Sequence, residues 1–295
     1  MNILITGGTG FIGSALCYRL LEEKHQIVVL SRHAEKVKSP IKAIANLGDL
    51  NDSDIFDVVI NLAGEPIANK RWSDKQKQKI FSSRIDITEK LISYFKKLEN
   101  KPKLFLSGSA IGYYGIDETD NVIEEKERGD NSFSSELCQK WEAVALKAEE
   151  LGLRTCLLRT GIVLGKNGGA LSKMLPSFKM CFGGRIGHGK QWMPWIHIDD
   201  LVGIILYCIS HDNLKGAVNG TSPTPVTNQV FTKTLGMVLK RPTIFPVPKL
   251  VVKLLTGQMG EELLLAGKKI VPKKALDIGY IFKYKTLEEA LINVI

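Results

Sequence analysis

The chain contains 295 residues, of which 44% are hydrophobic and 24% are charged, and its formal net charge is +9. A chain of this length and composition is expected to bury about three quarters of its unfolded surface, as one large or two smaller globular domains do. No stretch approaches the roughly 20 apolar residues of a membrane span, so we expect no membrane partner. The first residues lack the basic region of a signal peptide, and we therefore predict a cytoplasmic protein.

The five cysteines are scattered, odd in number and free of any C-x-x-C pair. They predict neither a disulfide framework nor a zinc site, and we expect no bound metal. The basic residues are dispersed among acids, and their densest group, residues 268–274, lacks the interleaved aromatic side chains of a nucleic-acid surface. We expect no nucleic-acid partner and interpret the positive charge as an attraction for anionic cofactors and substrates.

The first predicted elements are a strand over residues 2–6 and a helix over about 11–23, joined by the sequence T-G-G-T-G-F-I-G. Glycines at such a turn permit a tight bend, a close approach of backbone N–H groups to a pyrophosphate, and close packing of the helix on the strand. The helix N-terminus adds the positive end of its dipole, so the motif predicts a dinucleotide site. The residues assigned to this site are Gly7, Thr9, Gly10, Phe11, Ile12 and Gly13.

The end of the second predicted strand, over residues 26–31, indicates which dinucleotide binds. NAD-specific sites usually place Asp or Glu there to hold the ribose 2′-hydroxyl, whereas Arg accommodates a 2′-phosphate. Here the strand ends with Ser31 and Arg32, and the first acid is Glu35. A hydroxyl and a guanidinium suit a phosphate, so we predict NADP(H) as the cofactor.

Further strands are predicted over residues 41–45, 57–62, 103–108 and 154–160, and amphipathic helices over 73–97 and 134–151. This alternation predicts an α/β fold with a doubly wound parallel sheet. The chain between residues 32 and 57 is too short for two full crossover helices, so we expect abbreviated crossovers there.

The sequence changes character after Gly165, where glycines and then prolines punctuate the chain. We predict a Rossmann domain over 1–165, to which residues 195–222 return, and a smaller, mainly helical C-terminal lobe over 166–295 that binds substrate. The lobe is expected to end with a strand-like segment at 280–284 and a helix opened by a capping box of Thr286 and Glu289.

Several motifs, taken together and in order, resemble the extended short-chain dehydrogenase/reductases: T-G-G-T-G-F-I-G, the run from Ser107 to Gly115, R-T-G at 159–161 and I-H-I-D-D-L at 196–201. More closely, N-L-A-G-E-P at 61–66, P-W-I-H at 194–197 and V-P-K-K-A-L-D-I-G-Y-I-F-K-Y at 271–284 resemble an atypical branch called "epimerase family protein". This branch is similar to NAD-dependent epimerases and dehydratases and carries an uncharacterised C-terminal domain. The resemblance covers nearly the whole chain and implies a Rossmann fold. The residues it places around the ribose and nicotinamide are Leu62, Ala63, Gly64, Arg84 and Val163.

The resemblance implies only part of the family's proton chemistry. Short-chain reductases use a Tyr as general acid and base, a Lys four residues later, and a Ser that orients the substrate oxygen. Ser109 matches the Ser. One alignment places Ser134 and Cys138 at the Tyr and Lys positions, and another places Glu136 and Lys140 there. Neither alignment yields Y-x-x-x-K.

Three interpretations of the catalytic site therefore stay open. In the first, Tyr113 or Tyr114 acts as the acid near Ser109. In the second, Cys138 acts as a thiol acid or nucleophile, and Glu65, at the carboxyl end of a strand, is a candidate base. In the third, there is no proton chemistry and NADP(H) is a structural or sensing ligand.

Substrate contacts are predicted from the segment around residues 187–195 and from Glu65. His188, Trp192 and Trp195 offer an imidazole and aromatic faces, which suit a planar or anionic substrate. His197 precedes two acids, but we interpret it as part of a strand-to-helix junction rather than as a triad member or metal ligand.

These observations predict an NADP(H)-binding atypical short-chain dehydrogenase/reductase. The favoured function is that of an oxidoreductase or nucleotide-sugar epimerase acting on a small carbonyl or sugar-nucleotide substrate. The alternative is a non-catalytic NADP(H)-sensing protein. The resemblance also implies that a homodimer, where one forms, uses the two long helices over 73–97 and 134–151.

Overall fold

The structure of the protein, a computed structural model, describes residues 1–51, 54–116, 121–166 and 168–295. Its strands are β1 (Asn2–Thr6), β2 (Gln26–Leu30), β3 (Lys42–Ile44), β4 (Val58–Asn61), β5 (Leu104–Ala110), β6 (Val122–Ile123), β7 (Arg154–Thr160), β8 (Ile162–Leu164), β9 (Trp192–Met193), β10 (Trp195–His197), β11 (Gly216–Gly220), β12 (Val226–Thr227) and β13 (Lys269–Ile270). Its helices are α1 (Phe11–Glu22), α2 (Asp74–Lys97), α3 (Phe133–Leu146), α4 (Gly169–Lys179), α5 (Ile198–Ser210), α6 (Asn228–Leu239), α7 (Lys249–Thr256), α8 (Gln258–Leu263), α9 (Lys273–Asp277) and α10 (Leu287–Val294).

Seven strands form the central sheet in the order β11-β7-β5-β4-β1-β2-β3, and every neighbouring pair is parallel. The predicted α/β fold with a doubly wound parallel sheet is confirmed. From β1 the chain builds outward to β2 and β3 on one side and to β4 and β5 on the other. This reversal opens a crevice at the carboxyl ends of β1 and β4, which is where open α/β sheets bind their ligands.

Helices cover both faces of the sheet. On one face, Leu16 and Leu20 of α1 belong to a core that α5 also enters, and on the other face Leu91 and Phe95 of α2 form a second core. The central strands are buried on both sides, as the fully buried residues at positions 3–5 show. Burial on both faces explains why these strands read as continuous apolar runs rather than as alternating patterns.

The connections from β2 to β4 are short, as expected. Among the described residues of these connections, the helical elements are two 3₁₀ turns, at Ala34–Lys36 and Leu47–Asp49, in place of full helices. The crossover from β4 to β5 uses the long helix α2, which begins where the Ser73 hydroxyl accepts a hydrogen bond from the Gln76 backbone N–H. The abbreviated crossovers therefore fall where the sequence predicts them.

The part of the chain after β8 is mainly helical. Helices α4, α6 and α10 share a further core that contains Leu171, Phe231 and Leu291. Helix α10 begins with the predicted capping box of Thr286 and Glu289. Across the ranges that the structure describes, no helix is long and apolar enough to cross a membrane.

The strand-like segment predicted at 280–284 is not a strand. Phe282 and Tyr284 are buried between exposed neighbours, which produces the alternation of a strand. However, the backbone N–H groups of Lys283 and Tyr284 donate to the carboxylate of Asp200 at 2.7 and 3.0 Å. A buried carboxylate at the start of α5 thus takes the place of a neighbouring strand.

Candidate functional site

The glycine turn after β1 is packed too tightly for side chains. Gly7 has φ of +72°, and a Cβ atom there would lie 2.6 Å from the backbone of Leu62 at the end of β4. A Cβ atom on Gly13 would lie 2.2 Å from the Gly7 carbonyl oxygen. Both contacts are shorter than any Cβ tolerates, so glycine is required at both positions. The turn and the end of β4 are therefore held together at the crevice.

The N-terminus of α1 opens beside this turn. Gly10 caps the helix without a side chain, and the first turn contains no acid. The backbone N–H groups of such a first turn have no partner within the helix, and they carry the positive end of its dipole. This arrangement suits a negatively charged pyrophosphate.

Three further glycines, Gly165, Gly168 and Gly169, pack against the ring of Phe11. A Cβ atom on Gly168 would lie 2.2 Å from that ring, and one on Gly165 would lie 2.8 Å from it. These glycines therefore fix Phe11 at the start of α1 and tie the end of β8 to the pyrophosphate side of the crevice. In the sequence these glycines indicate only a change of composition, although several glycines so close together are also typical of a backbone that packs closely against a side chain.

Buried hydrogen bonds fix the end of β4. The Thr6 hydroxyl donates to Asn61 Oδ1 at 2.6 Å and accepts from the Ala63 backbone N–H at 3.2 Å. Asn61 Nδ2 donates to the Thr88 hydroxyl oxygen at 2.9 Å, and the Trp141 indole N–H donates to the same oxygen at 3.1 Å. This chain of bonds links β1, β4, α2 and α3, and it orients the segment that begins at Leu62.

The two residues predicted to hold a 2′-phosphate follow β2, next to the glycine turn. The Ser31 hydroxyl accepts a hydrogen bond from the His33 backbone N–H at 3.1 Å, which shapes the turn. Arg32 is exposed. The nearest acid in sequence, Glu35, pairs with His33 at 3.2 Å. The position that holds a ribose hydroxyl in NAD-specific sites is therefore occupied by a hydroxyl and a cation.

Arg84 of α2 supports the loop after β4. Its guanidinium donates to the carbonyl oxygens of Glu65 and Ile80 at 3.0 and 3.1 Å, and a Cβ atom on Gly64 would lie 2.9 Å from its Cζ. Burial lowers the pKa of this guanidinium. The Glu65 carboxylate pairs with Lys79 at 3.1 Å, and this hydrogen bond lowers the pKa of Glu65. An ionised carboxylate held by a lysine is a weak candidate for a general base.

Ser109, at the carboxyl end of β5, belongs to a buried ionic network. Its hydroxyl donates to Glu142 Oε1 at 2.6 Å. Arg159 of β7 donates to both oxygens of the same carboxylate, each at 2.8 Å, and the two charged side chains are each only 5% exposed. Burial opposes the charge of Arg159, but its hydrogen bonds to Glu142 outweigh burial and raise its pKa. The hydroxyl hydrogen of Ser109 is thus committed to Glu142 rather than to a substrate.

The two tyrosines of the turn after β5 differ in their accessibility. Tyr114 is 1% exposed, donates its phenolic hydrogen to Asn219 Oδ1 at 2.7 Å and accepts from Arg159 at 3.0 Å. Burial raises the pKa of Tyr114 to about 12. Tyr113 is partly exposed, and the Arg159 guanidinium lies 3.4 Å from the centre of its ring. Within the described residues, the Tyr113 hydroxyl forms no hydrogen bond.

Both alignments with the family's Tyr and Lys, Ser134 with Cys138 and Glu136 with Lys140, fall on α3. Cys138 is 3% exposed, and burial, aided by the charge of Glu142, raises its pKa to about 11. Ser134 donates from its hydroxyl and its backbone N–H to the Glu262 carboxylate of α8, at 2.7 and 2.9 Å. Glu262 was not predicted, although Glu261 and Glu262 are the first acids after the acid-free stretch 213–260. A carboxylate from the C-terminal part therefore binds the first turn of α3, at the residue that one of the two alignments places at the Tyr position.

The predicted substrate residues do not all reach a cleft. Trp195 is fully buried in β10, and its indole N–H donates to the Thr224 carbonyl oxygen at 3.0 Å. In this position Trp195 packs in the core of the C-terminal part, and its contact with a substrate stays a prediction. Trp192 is partly buried, with Lys269 lying 4.9 Å from its ring centre. His188 is exposed and accepts the Lys190 backbone N–H at 2.9 Å.

Val163 and a cavity between α1 and α5 lie outside the glycine turn. Val163 of β8 is 7% exposed and packs in the core beneath the sheet. A cavity of about 730 Å³ opens between α1 and α5 and shares Phe11 with the glycine turn. Among the described residues, no group of three or more His, Cys, Asp or Glu side chains is placed to bind a metal.

A sequence profile of the NAD dependent epimerase/dehydratase family matches residues 3–219, and a profile described as "domain of unknown function (DUF1731)" matches residues 247–294. The chain belongs to the NAD-dependent epimerase/dehydratase family. It is 40% identical over 301 residues to "Epimerase family protein SDR39U1 homolog, chloroplastic" of Arabidopsis thaliana, covering 99% of this chain and 86% of the relative. It is 37% identical over 300 residues to "Epimerase family protein SDR39U1" of Mus musculus, covering all of both chains.

A crystal structure of human epimerase family protein SDR39U1 with NADPH is also similar. The two structures superpose with a TM-score of 0.90 at 34% sequence identity, covering 100% of this chain and 99% of the human chain. The resemblance to the "epimerase family protein" branch is thereby confirmed. One relative is named as chloroplastic, so the cytoplasmic location of this chain stays a prediction.

The resemblance implies a Ser, a Tyr and a Lys for proton transfer, and this sequence departs from that pattern. The conventional Tyr and Lys are absent from its sequence, Ser109 is bound to Glu142, and Ser134 is bound to Glu262. The glycine turn, by contrast, keeps the close backbone contacts that dinucleotide binding needs. The glycine turn is therefore closely packed, whereas the hydroxyl groups of Ser109 and Ser134 are held by buried carboxylates.

Proposed function

We propose that the protein binds NADP(H) at the carboxyl ends of β1, β2 and β4. The observation that carries this proposal is the glycine turn, where Gly7 and Gly13 leave no room for Cβ atoms and the uncapped N-terminus of α1 supplies backbone N–H groups. The NADPH in the crystal structure of the human relative supports the choice of cofactor. The pyrophosphate contacts are assigned to Gly7, Thr9, Gly10, Phe11, Ile12 and Gly13.

The 2′-phosphate is assigned to Ser31 and Arg32. A charge-assisted guanidinium–phosphate contact contributes roughly 1.5–3 kcal/mol, which corresponds to about a 10-fold to 100-fold change in affinity. We therefore expect Arg32→Ala to weaken NADPH binding by at least about 10-fold and NADH binding by less than about twofold. Arg19→Ala is the matched control, because Arg19 is exposed on α1 and pairs with Glu22 at 3.1 Å. Titration of both nucleotides by intrinsic fluorescence or calorimetry gives the four affinities, and equal weakening of NADH and NADPH would contradict the assignment.

The nicotinamide half is assigned to the loop after β4. Leu62 and Ala63 are held by the Thr6 and Asn61 hydrogen bonds, and Arg84 orients Gly64 and the following carbonyl group. Bound NADP(H) supplies or accepts a hydride at its nicotinamide ring. The buried Val163 is proposed to support this side of the crevice from beneath rather than to touch the ring itself.

For the reaction, we propose hydride transfer between NADP(H) and a small carbonyl compound. Ser109 and Tyr114 have committed hydrogens, and Cys138 is buried with a raised pKa. Tyr113 is partly exposed and its hydroxyl is free within the described residues, so it is the proposed proton donor. A sugar-nucleotide epimerase is less well supported, because an epimerase also needs a base at the Tyr position, and the two alignments place Ser134 or Glu136 there instead of Tyr.

A second function, cofactor sensing, is favoured by the same fixed network. In this proposal, residues 1–165 with 195–222 form the NADP(H) domain, and the lobe over 166–295 transmits binding instead of holding a substrate. The two functions are separated by loading the protein with NADPH that carries deuterium at the transferable position and incubating it with a metabolite extract. A labelled product that Tyr113→Phe abolishes supports the oxidoreductase. Tight NADPH binding without label transfer supports the sensor.

A further inference from the structure

The C-terminal part exposes large apolar side chains on α7 and on two neighbouring segments, and we call this set the α7 surface. Its members are between 58% and 72% exposed, and they are Met180, Phe182, Ile244, Phe245, Leu250, Leu254 and Leu255. The segments 184–187 and 245–247 lie side by side, because Val247 donates its N–H to the Arg185 carbonyl and Gly187 donates its N–H to the Val247 carbonyl, each at 2.8 Å. Exposed apolar side chains grouped in this way indicate an interaction site.

Helix α7 presents most of its apolar residues to the outside. Of its five apolar residues only Val252 is buried, while Leu250 and Leu254, spaced i and i+4, are 67% and 65% exposed. Such an arrangement is the reverse of a surface helix that serves only its own core. These side chains protrude from a short helix and the loop before it, so a partner must accept them into an apolar layer.

The sequence that carries α7 has an excess of positive charge. From residue 213 to residue 260 the sequence contains no Asp or Glu. The basic residues in this stretch are Lys215, Lys233, Lys240, Arg241, Lys249 and Lys253. Lys253 pairs with Glu261, but Lys240, Arg241 and Lys249 are exposed next to the apolar residues. The α7 surface thus combines exposed leucines with basic side chains, and residues 213–260 contain no acid to offset their charge.

The exposed leucines and the positive charge favour an anionic lipid surface over a second copy of the chain as the partner. In a two-fold contact with a second copy, the same surface would meet itself, and cations would face cations. An anionic lipid surface instead offers opposite charge to the lysines and an apolar layer to the leucines. We propose that the α7 surface binds anionic phospholipid membranes, with α7 lying in the plane of the interface. The expectation of no membrane partner rested only on the lack of a spanning segment, and an interfacial contact does not need one.

The test is sedimentation with vesicles of phosphatidylcholine alone or of an equal mixture with phosphatidylglycerol. We expect the protein to sediment with the mixed vesicles and to lose this binding at high salt. Leu250→Asn with Leu254→Asn should weaken binding at least about 10-fold, because apolar insertion is lost. The triple substitution Lys240→Gln, Arg241→Gln and Lys249→Gln should weaken it to a similar extent.

Two control variants match these changes elsewhere on the chain. Ile281→Asn replaces an apolar side chain that is 82% exposed outside the α7 surface, and Lys75→Gln with Lys90→Gln and Lys96→Gln removes three exposed cations from α2. Both should bind mixed vesicles like the unaltered protein, and NADPH titration checks that all variants are folded. The proposal is overturned if the protein ignores mixed vesicles, binds both vesicle types equally, or binds polyglutamate instead. It is also overturned if light scattering shows a dimer that only the leucine variant dissociates.

Discussion

Ser109 and Glu142 are joined by a buried hydrogen bond of 2.6 Å in which the serine hydroxyl is the donor. Arg159 holds the same carboxylate with two further bonds. In short-chain reductases that have the conventional Tyr and Lys, the serine at this position orients the substrate oxygen. Here the serine belongs to an ionic network that joins β5, α3 and β7, so its first role is to hold these elements together.

Replacing Glu142 by Gln should destabilise the fold. The substitution leaves the guanidinium of Arg159 without its anionic partner in a buried position, and breaking a buried pair in this way costs about 3–5 kcal/mol. Urea unfolding followed by circular dichroism measures the change. Glu149→Gln, at an exposed position, is the control and should change the free energy of unfolding by less than about 0.5 kcal/mol. A small effect of Glu142→Gln would show that the network is not a structural element.

Gly13→Ala should abolish nucleotide binding. The added Cβ atom would meet the Gly7 carbonyl oxygen at 2.2 Å, so the turn would have to open and the first N–H groups of α1 would move. Gly48→Ala is the matched control, because a Cβ atom there meets nothing within 4 Å. Fluorescence titration with NADPH compares the two variants. Unchanged affinity in Gly13→Ala would place the dinucleotide away from this turn.

Cys138 should resist alkylation. The thiolate is the reactive form, and a pKa near 11 leaves about 100-fold less thiolate at neutral pH than an ordinary cysteine has. Burial slows the reaction further. Iodoacetamide labelling followed by mass spectrometry at about pH 8 should modify the partly exposed Cys181 first. Equal labelling rates for the two cysteines would restore Cys138 as a candidate nucleophile.

His197 should make stability depend on pH. Its Nδ1 accepts the Asp199 backbone N–H at 3.0 Å, Nε2 lies 3.1 Å from Asn293 Oδ1, and burial lowers the pKa of the ring. The folded state therefore keeps the imidazole neutral. Below about pH 6.5, the imidazole of His197 binds a proton in the unfolded chain more readily than in the folded chain. The free energy of unfolding therefore decreases as the pH falls toward the lowered pKa.

The test is to measure the free energy of unfolding at about pH 8 and at about pH 5.5, which lie above and below the ordinary pKa of histidine. His197→Gln should lower stability at the higher pH and reduce its dependence on pH. His33→Gln, at an exposed position, is the control. A pH dependence that survives in His197→Gln would assign it to other groups.

The sequence by itself determined the sheet and the glycine turn. Strand positions were readable because β1, β4 and β5 are buried on both faces and must be apolar throughout. Glycine positions in the turn were readable because a local backbone bend and a close approach leave few other residues possible. Local periodicity also identified α2 and the capping box of α10.

Only the tertiary structure decided the state of each polar side chain. Ser109 and Glu142 are 33 residues apart, Tyr114 and Asn219 are 105 apart, and Ser134 and Glu262 are 128 apart. Sequence patterns report the neighbours along one helix or strand, whereas hydrogen bonds across such distances depend on how the elements pack. The segment at 280–284 has the alternation of a strand for the same reason, because its partner is the distant side chain of Asp200. Local sequence thus determines the helices and strands of the chain. The packing of these elements determines which hydroxyl groups form hydrogen bonds.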